Sequence, residues 1–202
     1  MKITKESRTA FLSTILGDGW IAPGGRAGIK HCIQQFDYLT WKRKYLVSKG
    51  ISCGEIKIIN NSGFQACTMY MYTTKYSKLY RRILYSYGYK NIYSRKLLNR
   101  FTAEHIAIWY MDDGGISQKK HNGVICANDL MINTHTTKDN NQVIIDYFKE
   151  KWGVSFTQVR NKGWYRLRCG TKEARKFLEI VREYVCQIPS MAHKLNIKSI
   201  NA

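Results

Sequence analysis

Phe11-Leu-Ser-Thr-Ile-Leu-Gly-Asp-Gly19 and Ile106-Ala-Ile-Trp-Tyr-Met-Asp-Asp-Gly114 are the two stretches that decide how this chain folds. Each is an apolar run at helical spacing, and each ends in an acid followed at once by glycine. Asp18 and Asp113 stand 95 positions apart in a chain of 202 residues, so the chain reads as two similar halves. An acid at a helix C-terminus meets the negative end of the helix dipole, at a cost of a few tenths to about 1 kcal/mol. Two such acids in matched positions point to a site where a cation removes that cost.

Working outward, the rest of the chain repeats as well. Helical spacing predicts helices near 7–17, 38–49 and 75–87 in the first half, and near 103–112, 137–151 and 171–185 in the second. Extended segments are expected near 27–36, 54–60 and 64–73, then up to about 134, and near 154–160 and 163–169. Lys49-Gly50-Ile51 and Trp152-Gly153-Val154 place glycine where helices commonly end. Asn60-Asn61-Ser62-Gly63 and Asn161-Lys162-Gly163 signal hairpin turns. Thr74 and Thr171 are placed to cap the last helix of each half. Each half therefore reads α-β-β-α-β-β-α, an α+β class, with the first repeat over 1–88, a connection over 89–103 and the second repeat over 104–202.

The formal charge is +19, from 33 Lys and Arg against 14 Asp and Glu. Residues 1–100 hold 18 basic and 4 acidic side chains and residues 101–202 hold 15 and 10, so both halves are positive. Such an excess indicates a polyanionic partner, nucleic acid first. A membrane role is disfavoured, because no stretch approaches 18 consecutive apolar residues and no signal peptide is evident. Six scattered cysteines with no Cys-x-x-Cys pair read as reduced thiols, and neither they nor the five histidines show zinc-ligand spacing.

Both acid-ended helices carry apolar residues on more than one face and are expected to be buried. Ser13, Gly17 and Ala107 are small enough to let them approach closely. Packed side by side, they would bring Asp18 and Asp113 together, where the carboxylates would raise each other's pKa unless cations intervene. Mg²⁺ suits such an oxygen site, and paired ions can activate water and stabilise the leaving oxygen of a phosphodiester. On the strands, Trp164, Arg166 and Arg168 alternate with Tyr165, Leu167 and Cys169. Lys30, Cys32 and Gln34 alternate with Ile29, His31 and Ile33. Arginine reads guanine edges in a major groove and Gln34 suits adenine, so Lys30, Gln34, Trp164, Arg166 and Arg168 are the candidate DNA contacts.

Leu-Gly-Asp-Gly at 16–19 and Trp-Tyr-Met-Asp-Asp-Gly-Gly at 109–115 resemble the signature helices of LAGLIDADG homing endonucleases of the monomeric, two-repeat class. The resemblance covers nearly the whole chain. It implies two pseudo-symmetric repeats whose antiparallel sheets form a DNA-binding saddle and whose signature helices pack at the repeat interface. It implies that Asp18 and Asp113 are catalytic, metal-binding acids, with Asp112 a further candidate ligand and two or more divalent ions, Mg²⁺ foremost, at the site. Lys90, in Gly-Tyr-Lys-Asn-Ile-Tyr, and Lys194, in Met-Ala-His-Lys-Leu, match the family's catalytic lysines, although Tyr93 stands where proline is often found. Double-stranded DNA is the implied substrate, cut at a long asymmetric site, by a monomer acting wherever that DNA resides: organelle, nucleus, or bacterial or phage cytoplasm. An intron-encoded or free-standing enzyme is expected rather than an intein. The alternative is an RNA maturase, with intron RNA as partner, or a DNA-binding protein on the same fold.

Overall fold

The computed structural model describes residues 4–61, 63–72, 74–86, 89–90 and 93–197. The first half holds α1 (Lys5–Leu16), β1 (Gly19–Ile21), β2 (Ala27–Cys32), α2 (Phe36–Ser48), β3 (Lys57–Asn61), β4 (Phe64–Met71) and α3 (Thr74–Leu84). A short ribbon, β5 (Tyr85–Ser86) with β6 (Tyr89–Lys90), and the single turn α4 (Arg95–Leu98) lead into the second half. There the chain forms α5 (Ala103–Asp113), β7 (Gly114–His121), β8 (Val124–Thr136), α6 (Lys138–Trp152), β9 (Thr157–Asn161), β10 (Trp164–Cys169) and α7 (Thr171–Val185). A 3₁₀ segment, Pro189–Leu195, follows.

The two halves build matching antiparallel sheets, ordered β1-β2-β4-β3 and β7-β8-β10-β9. This is the α+β architecture of two α-β-β-α-β-β-α units that the repeat implied. Each sheet turns one face to the helices. Ile29, Cys67 and Met69 point inward in the first, and Leu130, Ile132 and Leu167 in the second, all buried. On α7, Ala174, Phe177, Leu178, Val181 and Val185 form the apolar stripe at helical spacing. Each large side chain on that stripe contributes roughly 1.5–3 kcal/mol by leaving water. α1 and α5 differ from such amphipathic helices. Residues 9–16 of α1 and 105–111 of α5 are buried without interruption, because the two helices form the central layer between the halves.

Four sequence expectations need correction. Residues 33–35 form a 3₁₀ turn instead of continuing β2, so Gln34 lies beyond the strand although it remains exposed. Thr171 is the first residue of α7 and not its cap. Its hydroxyl accepts from the Asn128 N–H (2.9 Å) and donates to the Asn128 carbonyl (3.1 Å), tying α7 to β8. Thr74 likewise begins α3 inside the helix. The segment expected to be a plain connection contains β6 and α4. The Lys162-Gly163 turn, by contrast, has both residues at positive φ (48° and 88°), as a tight hairpin with right-handed twist requires. Ser62 in the other expected turn, the Gly88 boundary, and Asn91 and Ile92 after Lys90 lie outside the described residues. So do residues 1–3 and 198–202.

Candidate active site at the repeat interface

The packing of α1 against α5 carries both acids to one end of the interface. Asp113 is the last residue of α5, and Asp18 lies two residues past the end of α1. Together with Lys90 they line a cleft of about 350 Å³, whose far wall is Asn133, Thr134 and His135 of β8. The glycine after each acid is required by close approach. A Cβ at Gly19 would lie 2.6 Å from the Thr14 carbonyl oxygen, and one at Gly114 would lie 1.9 Å from the Tyr110 ring. Neither glycine has a positive φ, so the chain uses their lack of a side chain and not left-handed backbone.

The sequence-predicted lysines flank this cleft. Lys90 Nζ donates to the carbonyls of Gly17 and Gly19 (3.1 Å for the latter), on both sides of Asp18. Lys194 Nζ donates to the Gly114 carbonyl, 2.7 Å away, next to Asp113, while Tyr110 holds the Lys194 carbonyl at 2.7 Å. Burial lowers both ammonium pKa values, and the nearby acids oppose that shift.

Burial, and then the charge of Asp112, push Asp18 up to about 6 against the pull of Lys42, Lys90 and Lys194. Burial pushes Asp113 up to about 8; Lys90 opposes this, and Asp112 and Asp18 add to it. Among the described residues, no donor hydrogen-bonds the Asp113 carboxylate. Two carboxylates with raised pKa values, neither in an ion pair with a lysine or arginine among the described residues, fit a hard divalent ion.

Asp112 has a different environment. Its carboxylate is fully buried and points away from solvent into the first half. Lys42 Nζ of α2 lies 2.5 and 2.7 Å from its two oxygens, and the Tyr38 hydroxyl donates at 2.7 Å. The Asp18 N–H donates to Asp112 Oδ2 at 3.0 Å. Burial, the largest single influence, would raise its pKa, but Lys42, His31 and the Tyr38 hydroxyl together outweigh it and hold Asp112 below its ordinary value. His31 sits beside this pair, its Nε2 3.4 Å from Lys42 Nζ and its Nδ1 3.4 Å from Asp18 Oδ2. Burial, then Lys42, push the imidazole down to about 3, so it is neutral. An ammonium can only donate, so Nε2 is the acceptor and the Nδ1–H faces Asp18. One atom from each of Asp18, His31 and Asp112 lies within 4.8 Å of the others, but Lys42 already neutralises Asp112.

Sequence reading missed His31, Tyr38 and Lys42 as members of the site. One signal was present. Lys42 falls on the buried stripe of α2 made by Tyr38, Leu39, Tyr45 and Leu46, and a lysine there demands a buried counter-charge.

Apart from Gln34, which lies in the 3₁₀ turn after β2, the candidate DNA contacts lie on the sheet faces turned away from the helices. Lys30 of β2 is exposed, beside Thr68 on β4. Arg26, not singled out from sequence, lies over the Trp20 and Tyr70 rings (5.9 and 5.4 Å) on the same face. In the second half, Trp164, Arg166 and Arg168 share the outer face of β10, partly exposed, while Leu167 and Cys169 are buried. Arg168 is not free. Its guanidinium forks onto Asp129 at 2.9 and 3.0 Å, and Lys119 approaches the same carboxylate at 3.2 Å. Burial would raise Asp129, but these donors hold it low. Arg166 has a buried Nε with no hydrogen-bond partner among the described residues. Among the described residues, no helix is long and apolar enough to cross a membrane.

The model of the LAGLIDADG DNA endonuclease family matches residues 9–177. Similar curated proteins include one named Protein RecA from Mycolicibacterium flavescens, 27% identical over 96% of this chain and 47% of its own length. Another, of the same name, from Mycolicibacterium fallax is 28% identical over 91% of this chain and 44% of its own length. The chain thus spans about half the length of the curated relatives it matches. Among solved structures, the homing endonuclease I-WcaI bound to its DNA recognition sequence superposes with a TM-score of 0.75 at 18% identity. That match covers 98% of this chain and 89% of I-WcaI. The N-terminal LAGLIDADG domain of DUF199/WhiA gives 0.52 at 14% identity, over 87% of this chain and 80% of that one. At these identities the structural likenesses are of fold.

Proposed function

This chain belongs to the LAGLIDADG DNA endonuclease family, and we propose that it is a site-specific homing endonuclease that makes a double-strand break in a long asymmetric target. The observation that carries this reading is the single cleft in which Asp18 and Asp113, both with raised pKa values, meet Lys90. Burial raises both acids, and neither has an ion pair with a lysine or arginine among the described residues, a cost that a bound cation would remove. They make sense as ligands. Divalent ions, Mg²⁺ first, would be held by Asp18 and Asp113 and would supply an activated water and stabilisation of the leaving oxygen.

The chain's own groups supply the remainder. Lys90 and Lys194 hold the loops that present the two acids, and their ammonium groups add positive charge where the phosphate develops negative charge. Each acid serves one strand. The saddle contacts are assigned to Lys30, Gln34, Trp164, Arg166 and Arg168, with Arg168 positioned by Asp129. The repeats are placed at 1–88 and 104–202, joined by 89–103, and two repeats in one chain imply a monomer. In the RecA-named relatives the matching region is part of a longer chain, which sets an embedded origin beside the intron-encoded or free-standing one expected from sequence. The maturase or pure DNA-binding alternative keeps the fold and gives up the cut.

One experiment separates these. A randomised duplex library is incubated with the protein in Mg²⁺ and in EDTA, and the new ends are sequenced. The endonuclease reading expects ends at one family of sites in Mg²⁺ alone. Retention of duplexes or intron RNA without any new end would support the alternative.

A further inference from the structure

The Asp112 carboxylate crosses from the second repeat into the first and breaks the pseudo-twofold relation between them. Its counterpart in the first repeat is Gly17, one residue before Asp18 as Asp112 is one before Asp113. A Cβ at Gly17 would lie 2.1 Å from Asp112 Oδ2, so the carboxylate fills the space a side chain at 17 would need. The receiving groups are also one-sided. Gly19 pairs with Ile29 in the first sheet and Gly114 with Ile132 in the second, so Thr134 takes the place of His31. Matching the buried stripe Leu39, Lys42, Tyr45 and Leu46 of α2 with Asn141, Ile144, Tyr147 and Phe148 of α6, Ile144 replaces Lys42. Thr134 and Asn141 bond each other at 2.6 Å. The second repeat therefore has no cation and no crossing carboxylate at this place.

The consequence falls on the Asp18 backbone. Its N–H is held by Asp112 Oδ2, and the carbonyls on either side of it are held by Lys90. Among the described residues, Asp113 has only the Lys194 contact to the following carbonyl and the regular end of α5. We propose that Asp112 is a positioning residue that, neutralised by Lys42, braces Asp18 across the repeat interface and so makes the two strand cuts unequal in their dependence on the protein. This rests on the reading of Asp18 and Asp113 as acids that each serve one strand.

Two double variants of the full chain test the brace. Asp112→Leu with Lys42→Met removes the acceptor and both charges at similar volume, a replacement that buried ion pairs commonly tolerate. Asp112→Asn with Lys42→Met also removes the charges but leaves a carbonyl to accept the Asp18 N–H. The substrate is a supercoiled plasmid carrying a site recovered from the duplex library, with folding checked by circular dichroism. For the leucine variant, kcat should fall about 10- to 100-fold with KM unchanged, since small misplacements at a reacting centre cost that much. Nicked circle should accumulate, with the surviving nick on one strand. The asparagine variant should recover most of the lost rate.

Wild-type conversion to linear DNA by the leucine variant would overturn the proposal, as would equal slowing of both strands or identical behaviour of the two variants. Amide hydrogen exchange at Asp18 in metal-free protein reads the brace without cleavage. Protection should drop at least about tenfold in the leucine variant and persist in the asparagine variant, because a hydrogen-bonded amide must open locally to exchange. Equal protection in all three proteins refutes the brace. A wild type that cuts nothing refutes the nuclease reading instead.

Discussion

Replacing Asp113 by asparagine should end double-strand cutting and stabilise the metal-free protein. Asparagine keeps the shape of the side chain but cannot ionise, so folding no longer has to take up the proton that the unfolded carboxylate lacks at pH 7. The folded pKa of about 8 lies about four units above the ordinary 3.8, and each unit is worth about 1.4 kcal/mol. A carboxyl group that binds its proton more tightly when folded makes stability fall as pH rises, here from about 4 to about 8. At pH 7 the full shift corresponds to about 4 kcal/mol, and solvent entering the open cleft reduces this to about 2–4 kcal/mol. In a chain of this length that is a rise in Tm of roughly 4–16 °C for Asp113→Asn in EDTA. The assay is thermal unfolding of both proteins between pH 5 and pH 8, with EDTA and with Mg²⁺. In EDTA the wild-type Tm should fall across this window more steeply than the variant's, and the gap should close toward pH 5. Mg²⁺ should raise the wild-type Tm and leave the variant nearly unmoved, since a ligand that binds only the folded state stabilises it. Parallel pH profiles in EDTA, or a variant less stable than wild type at pH 7, would refute the account of Asp113 as a crowded, ion-seeking carboxylate.

Lys42→Met alone should destabilise the protein by about 3–5 kcal/mol, because it leaves Asp112 charged and buried; a loss below about 1 kcal/mol in urea unfolding would mean Asp112 simply takes up a proton. Arg166→Ala should cost roughly 1–3 kcal/mol of DNA binding at particular base pairs if that side chain reads a base, and should weaken all sequences alike if it touches phosphate. Arg168→Ala should lower folding stability as well as DNA affinity, since Asp129 keeps only Lys119, and unchanged urea unfolding would make the Arg168–Asp129 fork incidental. Log affinity should fall steeply with log salt through counterion release, and a slope near zero would count against phosphate contacts by this basic surface.

The elements that sequence reading found are those whose signals are local. The stripe on α7, the glycines closing α2 and α6, and the Lys162-Gly163 turn each act within a few residues, so their pattern survives in the linear text. The buried acid-ended helices were equally legible, because residues apolar on every side have nowhere to go but a central layer. Local signals also misled. Thr171 had the composition of a cap, but its hydroxyl found Asn128 on a neighbouring strand. Alternation through Gln34 ran on past the real end of β2, where the chain turns to start α2.

The site divides along the same line. Asp18, Asp113, Lys90 and Lys194 were nameable because the repeat and its motifs mark them, each beside a glycine or in a matched loop. The roles of Asp112, His31 and Lys42 were not, because a charge does not announce its partner. Lys42 and Asp112 are 70 positions apart and meet only when α2 of one repeat packs beneath the end of α5 of the other. Sequence alone determined that two acids would be carried to one place in a strongly basic, twofold-repeated protein. Only the tertiary structure decided which acid remains open to the cleft and which is neutralised in the interior, since burial and ion pairing are set by what packs against a residue and not by its neighbours in the chain.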